Sequence, residues 1–534
     1  MRKFTLFIAS LFLALGAMAQ NPTTFADGVY KIYWQWDKRG YLAYHADYPT
    51  SPQLAGVVNH NPGGHYQLTD AGVNLGWYLY TSPVSGKSYL FEATTGKFIT
   101  IDESRAVGNG RACVLSESVT GKSMLTLKKT TNTDAYMLTF GTNYNFCSGC
   151  GNNKGNDPVR FATDGQSDGG VPFVFVAEGV TISDEIKNAA IAKIEAYEAT
   201  LYPYNGKIYA LDSYRDFLYS NTDGSMNVYT NGSYNGVADT RALWKFEYNN
   251  GSASYNIKNV HTGLYIGATN HNSSVQMSET PGNYEIVTTT ASETAESGKY
   301  YIKVQGVNAC LHSTGETVKG WEGGGLGNQY EFNEIKNFSH ILTVGETGYA
   351  TLCLGFDAEI PEISGDENGV FIVTTSAVAG NVHLTKVEGV LPANTAVIVK
   401  ANPNSNVEFA YSTGALADVN GNLLLGTLYN KNIAVEAYVL NNGAKGIGFY
   451  GAILNKDGNT AFLNNANKAY LPMNAVPNKS AQFYGFDWEG TTGIDEVTTE
   501  SGEVKAIFDL TGRRIEEITA PGIYIVNGKK VLVK

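Results

Sequence analysis

Apolar and polar positions alternate in short runs along most of this chain, and after Pro203 the runs repeat. The segments KIYALDSYRDFLYS (207–220), YNIKNVHTGLYIGA (255–268) and YYIKVQGVNACLHS (300–313) follow one plan. Each opens on a short strand of period two, passes a polar turn and ends on a second strand. Each is followed by a closing segment: LWKFEY (243–248), NYEIV (283–287) and QYEFNEI (329–335). Ile208, Ile257 and Ile302 occupy matching places, at spacings of 49 and 45 residues. A unit of this length holds about four short strands and cannot bury its own apolar face. Three such units packed around a pseudo-threefold axis can.

The first half carries a looser version of the same pattern. VYKIYWQWDKRGYLAY (29–44), WYLYTSPVSGKSYLFEATTGKFITI (77–101) and AYMLTFGTNYNFCSGC (135–150) resemble openings of units, and VPFVFVAE (171–178) closes the set. Between the halves the period changes. Ile182, Ile186, Ala190 and Ile194 recur every four residues, behind N-cap candidates at Thr181, Ser183 and Asp184. This predicts one helix, ended at Tyr202-Pro203. From about residue 336 the threefold repeat is gone. GYATLCLGF (348–356), VHLTKVEGVLPANTAVIVKA (382–401), LLLGTL (423–428), AYVLNN (437–442), IGFYG (447–451) and AYLPM (469–473) have the close strand spacing of a sandwich. The polar stretch 490–503 reads as a linker. Beyond it, Asn527-Gly528 between alternating runs is a hairpin signal.

The start of the chain sets the expected compartment. Arg2 and Lys3, an apolar run from Phe4 to Leu15, and Ala17-Met18-Ala19 have the form of a secretory signal peptide. No later apolar run is long enough to span a membrane. The composition is rich in Gly (59) and Tyr (34), which suits short strands and many turns. The formal net charge of −12 makes nucleic acid a poor partner. Cys113, Cys147, Cys150, Cys310 and Cys353 are too few for a disulfide framework. Cys147 and Cys150 form a lone CxxC without a second ligand pair, which reads as a local disulfide or two free thiols.

Motifs of catalysis are sparse. There is no H-E-x-x-H, no P-loop and no EF-hand loop. His60 and His65 flank a Pro-Gly-Gly turn without a nearby third ligand, so no metal is expected, and no cofactor either. A pair of glycosidase carboxylates leaves no sequence signature, but no segment is large enough for a catalytic barrel. Sugar binding needs less. A sugar presents a C–H face that packs on an aromatic ring and a rim of hydroxyls that takes amide or carboxylate partners. His312, Trp321, Asn328 and Gln329 form one such set, with Trp321 in the glycine-rich loop KGWEGGGLGN. Trp34, Trp36, Asp37 and Tyr41 form a second; period two puts Trp34 and Trp36 on one face of a strand. For either set the competing role is that the tryptophans simply fill the core. Trp244, in a closing strand, is expected in the core.

The triple repeat resembles the β-trefoil of ricin-type lectins over residues 203–335, and more loosely over 22–180. That resemblance implies shallow sugar pockets, up to one per repeat. The family's closing Gln-x-Trp is replaced here; Gln329-Tyr330-Glu331-Phe332 and Trp244-Lys245-Phe246 are the nearest approaches. The end of the chain is similar to the C-terminal sorting domain of type IX secretion cargo. Ile507-Phe508-Asp509-Leu510-Thr511-Gly512-Arg513-Arg514 matches its first strand and turn, and 522–531 matches its last hairpin.

The chain is therefore expected to be all-β: a signal peptide (1–20), tandem β-trefoil-like domains (22–180 and 203–335) joined by one helix (181–202), a β-sandwich (336–490) and a small C-terminal β domain (491–534). The expected role is that of a secreted cell-surface protein that binds a glycan or glycoprotein without catalysis. The tail would engage an export machinery. Two other roles fit the same pattern: an adhesin or inhibitor that grips protein through trefoil loops, and an accessory part of a polysaccharide hydrolase.

Overall fold

The computed structural model describes residues 26–34, 41–45, 57–60, 73–107, 110–130, 135–141, 144–147, 157–158, 160–162, 173–177, 181–213, 217–222, 228–231, 239–289, 297–452, 462–479, 481–488, 507–509, 513–515, 522–526 and 529–533. The expected signal peptide, residues 1–20, lies outside them. The described residues are strands, short 3-10 turns and one α-helix, so the protein is all-β and multi-domain. It divides into two compact units: Met1–Gly206 with Phe246–Tyr255, and Lys207–Lys245 with Asn256–Lys534.

In the first unit six strands close into an antiparallel ring. Gly28–Trp34 pairs with Trp77–Thr81, which pairs with Ser88–Glu92, then Leu125–Lys129, Tyr136–Phe140 and Phe173–Val176, which returns to the first. The period-two pattern turns Ile32, Leu79, Leu90, Leu125, Leu138 and Phe175 into one core. Trp77 is fully buried, and its indole N–H donates to the Leu42 carbonyl at 2.7 Å. The segment 77–101, which resembles one opening in the sequence, is in fact divided. Trp77–Thr81 closes the first repeat by pairing with Gly28–Trp34, and Ser88–Glu92 opens the next.

The helix runs Asp184–Leu201. Ser183 caps it, its hydroxyl accepting from the Ile186 N–H at 3.3 Å. Ala190 and Ile194 of the expected stripe pack on Tyr80, Tyr89, Phe91 and Phe98. One further step of four reaches Glu198, a buried carboxylate. It accepts hydrogen bonds from Ser82 Oγ and Ser85 Oγ, both at 2.5 Å, and from the Tyr89 hydroxyl at 2.8 Å. Burial, and then the bond to Glu198, push the Tyr89 phenol far above its ordinary value. The helix is thus anchored to the ring at a polar point as well as by its apolar face.

A second ring of the same kind is formed by Ile208–Ser213, Leu243–Asn249, Ser254–Asn259, Tyr284–Thr288, Tyr300–Val304 and Gln329–Glu334, closing on Ile208–Ser213. Ile208, Ile257 and Ile302 are buried, as their matching places predict. So are Trp244, Tyr284 and Tyr330, one from each closing segment. Between successive ring strands lie three hairpins: Phe217–Ser220 with Val228–Asn231, Tyr265–Ile266 with Met277–Ser278, and Cys310–Ser313 with Val318–Trp321. The hairpins bond to one another. Val228 N–H donates to Val275 O at 3.4 Å, Val275 N–H to Val318 O at 2.9 Å, and Thr230 N–H to Glu316 O at 3.1 Å.

Residues from Ser339 to Trp488 build a nine-stranded sheet and smaller two-stranded pieces. One parallel pair, Asn381–Val387 with Phe483–Trp488, joins its halves. Phe371, Val373 and Ile398 from one half share a core with Tyr438, Phe449 and Leu471 from the other, so the halves face each other as in a sandwich. The alternate residues Val370, Ile372 and Val399 enter a second core, which also holds Ile208, Ala210, Leu243 and Val260 of the ring. At the end, Ile507–Phe508, Arg514–Ile515, Gly522–Val526 and Lys529–Val533 make a four-stranded sheet. Val526 pairs with Lys529; the predicted turn residues Asn527-Gly528 lie outside the described residues. No helix among the described residues is long and apolar enough to cross a membrane.

Candidate functional site

Trp321 ends the strand Val318–Trp321, opposite Cys310 in the third hairpin. Its side chain is 42% exposed, whereas Trp77 and Trp244 are fully buried. Two rings stand beside it. The His271 imidazole is 5.1 Å away, centre to centre, with its plane tilted by 36°. The His312 ring is 6.2 Å away and tilted by 42°. The Glu322 carboxylate lies 4.0 Å from His271 Nε2, and both side chains are open to solvent.

This arrangement spans two repeats. His271 belongs to the second, and Trp321, Glu322 and His312 to the third. Gly320 makes the junction. Its N–H donates to Ser273 O at 2.9 Å, and its carbonyl accepts from Asn272 N–H at 2.7 Å. A Cβ on Gly320 would lie 2.3 Å from the Asn270 carbonyl oxygen, so only glycine allows the two loops to come this close.

The predicted polar partners have a different place. Asn328 is fully buried; its Nδ2 donates to Leu311 O at 3.2 Å and its Oδ1 lies 3.2 Å from His312 Nδ1. Gln329 is buried in the ring, where it faces Tyr301. Asn328 therefore holds His312 in position rather than facing solvent. The groups open to a ligand are the Trp321 face, His271 and Glu322, with His312 half-buried behind them. Sequence reasoning missed His271 and Glu322. Glu322 adjoins Trp321 in the chain, but His271 lies 50 positions upstream, and only the pairing of hairpins brings it near.

Most of the other predicted set falls outside the described residues. Trp34 sits in the strand Gly28–Trp34, opposite Phe173, with its side chain outside the description. Trp36 and Asp37 lie outside the described residues, as do Cys150 and His65. Tyr41 is 40% exposed and meets Tyr33 edge-on at 6.0 Å. Among the described residues no three His, Cys, Asp or Glu side chains are grouped to hold a metal ion. Cys113, Cys310 and Cys353 are buried free thiols, and burial pushes Cys353 up to about 12. A G-x-S-x-G run at 165–169 also lies outside the described residues.

No known protein family matches this chain, and no curated protein does. Solved structures show slight likeness. A mosquitocidal holotoxin aligns with 83% of this chain and 52% of its own, at 11% identity and a TM-score of 0.23. A Polyporus squamosus lectin bound to a human-type influenza-binding epitope aligns with 26% and 51%, at 16% identity and 0.21. A GlcNAcα1-4Gal-releasing endo-β-galactosidase from Clostridium perfringens aligns with 59% and 73%, at 10% identity and 0.20. The chain spans about half the length of the first two. Likeness this slight carries neither the fold nor the function, which rest on the geometry.

Proposed function

We propose that this chain is an exported, non-catalytic carbohydrate-binding protein of the cell surface. Its two closed rings are read as β-trefoils of the ricin-lectin kind, and its C-terminal strands as a sorting signal. The trefoil reading is supported by two features: six strands close on themselves twice, and three hairpins in the second unit cap one another. The observation that carries the function is the exposure of Trp321 beside His271, whose Nε2 lies 4.0 Å from the Glu322 carboxylate. A buried tryptophan fills space, as Trp77 and Trp244 do. An exposed indole beside an imidazole and a carboxylate offers a flat apolar face with hydrogen-bonding groups at its rim, which is what a sugar ring requires. The site is shallow, so a single contact is weak, and repeated ligands on a mucin or polysaccharide would add strength through multivalency.

The test uses the chain from residue 21 onward on a glycan array and on mucin beads, beside Trp321→Ala. The reading expects selective binding by the parent and a loss of about tenfold, or ~1.4 kcal/mol, in the variant. No retained glycan, or equal binding by both proteins, contradicts it. For the tail, a chain ending at residue 490 should stay in the periplasm; unchanged surface display rejects the sorting role.

A further inference from the structure

The second unit holds a group of cationic and titratable side chains that sugar binding does not use. Val260 belongs to the core shared by the ring and the sheet that follows, and His261 comes next in the chain. His340 sits two residues before Leu342, which belongs to the same core. The two imidazoles are 6.4 Å apart, one from each side of the junction. His261 Nδ1 lies 2.6 Å from Thr240 Oγ1. The junction is tight. A Cβ on Gly355 would lie 2.2 Å from Val260 O, and one on Gly263 would lie 2.6 Å from Leu428 Cδ1.

Among the charged groups around this pair, one carboxylate, Asp239, favours added protons on His261, and the other His and Lys468 oppose them. From the turn beside His261 come Asp239, which favours its protonation, and Arg241, which opposes it more weakly; the two are bonded to each other at 2.6 to 3.1 Å. From the strand Lys468–Pro472 comes Lys468, whose ammonium acts on His340. Glu408 lies on the strand beside His340, but Ser339 Oγ donates to it at 2.6 Å and the strand partner of His340 is Phe409. Protonating both imidazoles would place two positive charges side by side, next to Lys468.

We propose that this junction is an acid-sensitive joint, held shut while His261 and His340 are neutral and loosened when both are protonated. Burial, and then the neighbouring His340, hold His261 down at about 4, and burial with Lys468 lowers His340 as well. The sign follows from linkage. With the closed-state value below the ordinary 6.5, the open state binds more protons, so closure is complete above 6.5 and is lost as pH falls toward 4. His261 alone would favour opening roughly fifty- to a hundredfold at pH 4.5.

Hydrogen exchange on the full chain tests this at residues 259–264 and 338–343, corrected for intrinsic rates. Protection there should fall by at least about tenfold between pH 7 and 4.5, while the strand Tyr136–Phe140 keeps its own. The double variant His261→Asn, His340→Asn should lose most of that pH dependence. Lys468→Met keeps both imidazoles and should move the opening to lower pH, which tests the charge argument if the double variant does not fold. Protection that stays constant down to pH 4.5 in the parent overturns the proposal. So does a double variant with the parent's pH profile.

Discussion

The two rings have one interior plan and different exteriors. In each, the first closing segment supplies a buried tryptophan whose indole N–H donates to a carbonyl of the strand beneath: Trp77 to Leu42 at 2.7 Å, and Trp244 to Leu218 at 2.9 Å. Outside, they part. The first ring carries the helix Asp184–Leu201, anchored at Glu198, and the second shares a core with the sheet from Ser339 onward. The exposed Trp321 beside two histidines belongs to the second ring. The lesson is that the plan fixes which aromatics plug the barrel and leaves the loops free to differ.

The largest effects should come from the shared plan. Trp77→Ala and Trp244→Ala each remove a buried indole and its hydrogen bond, and each should lower the stability of its own ring by about 3–5 kcal/mol. Hydrogen exchange ring by ring measures this, and a cost at only one site breaks the equivalence of the two plugs. Glu198→Ala should cost about 2–3 kcal/mol in the first unit, because three buried hydroxyls lose their acceptor. Denaturation followed on the helix would show it, and an unchanged midpoint would mean that the apolar stripe alone holds the helix.

Smaller effects sharpen the contrast inside the second ring. Trp244 and Tyr284 both donate to backbone carbonyls, but the buried Tyr330 hydroxyl has no hydrogen-bond partner among the described residues. Tyr330→Phe should therefore be neutral or stabilising by about 1 kcal/mol, read from the thermal midpoint; a loss of that size would show a partner for the hydroxyl. Trp321→Ala should change stability by less than about 0.5 kcal/mol, since the indole is already half in water. A large loss there would recast Trp321 as part of the core.

Much of this was legible in the sequence. The spacing of Ile208, Ile257 and Ile302, and the aromatics of the closing segments, report burial directly, because a barrel wall of period two leaves those positions no alternative. The helix was legible from its four-residue stripe, but Glu198 was not. A carboxylate at the next step reads as solvent-facing unless the hydroxyls that receive it, on a hairpin more than a hundred positions away, are known. His271 was hidden for the same reason. The polar partners expected for Trp321 show the converse: Asn328 and Gln329 are near it in the chain, and the fold turns both inward.

Crystals of the chain soaked in mixed neutral and acidic oligosaccharides test the central claim most directly. A pyranose ring lying flat on the Trp321 indole at ~4 Å, with a hydroxyl bonded to His271 or Glu322, is the predicted result. Sugar bound elsewhere, with the Trp321 face bare at saturating concentration, would contradict it.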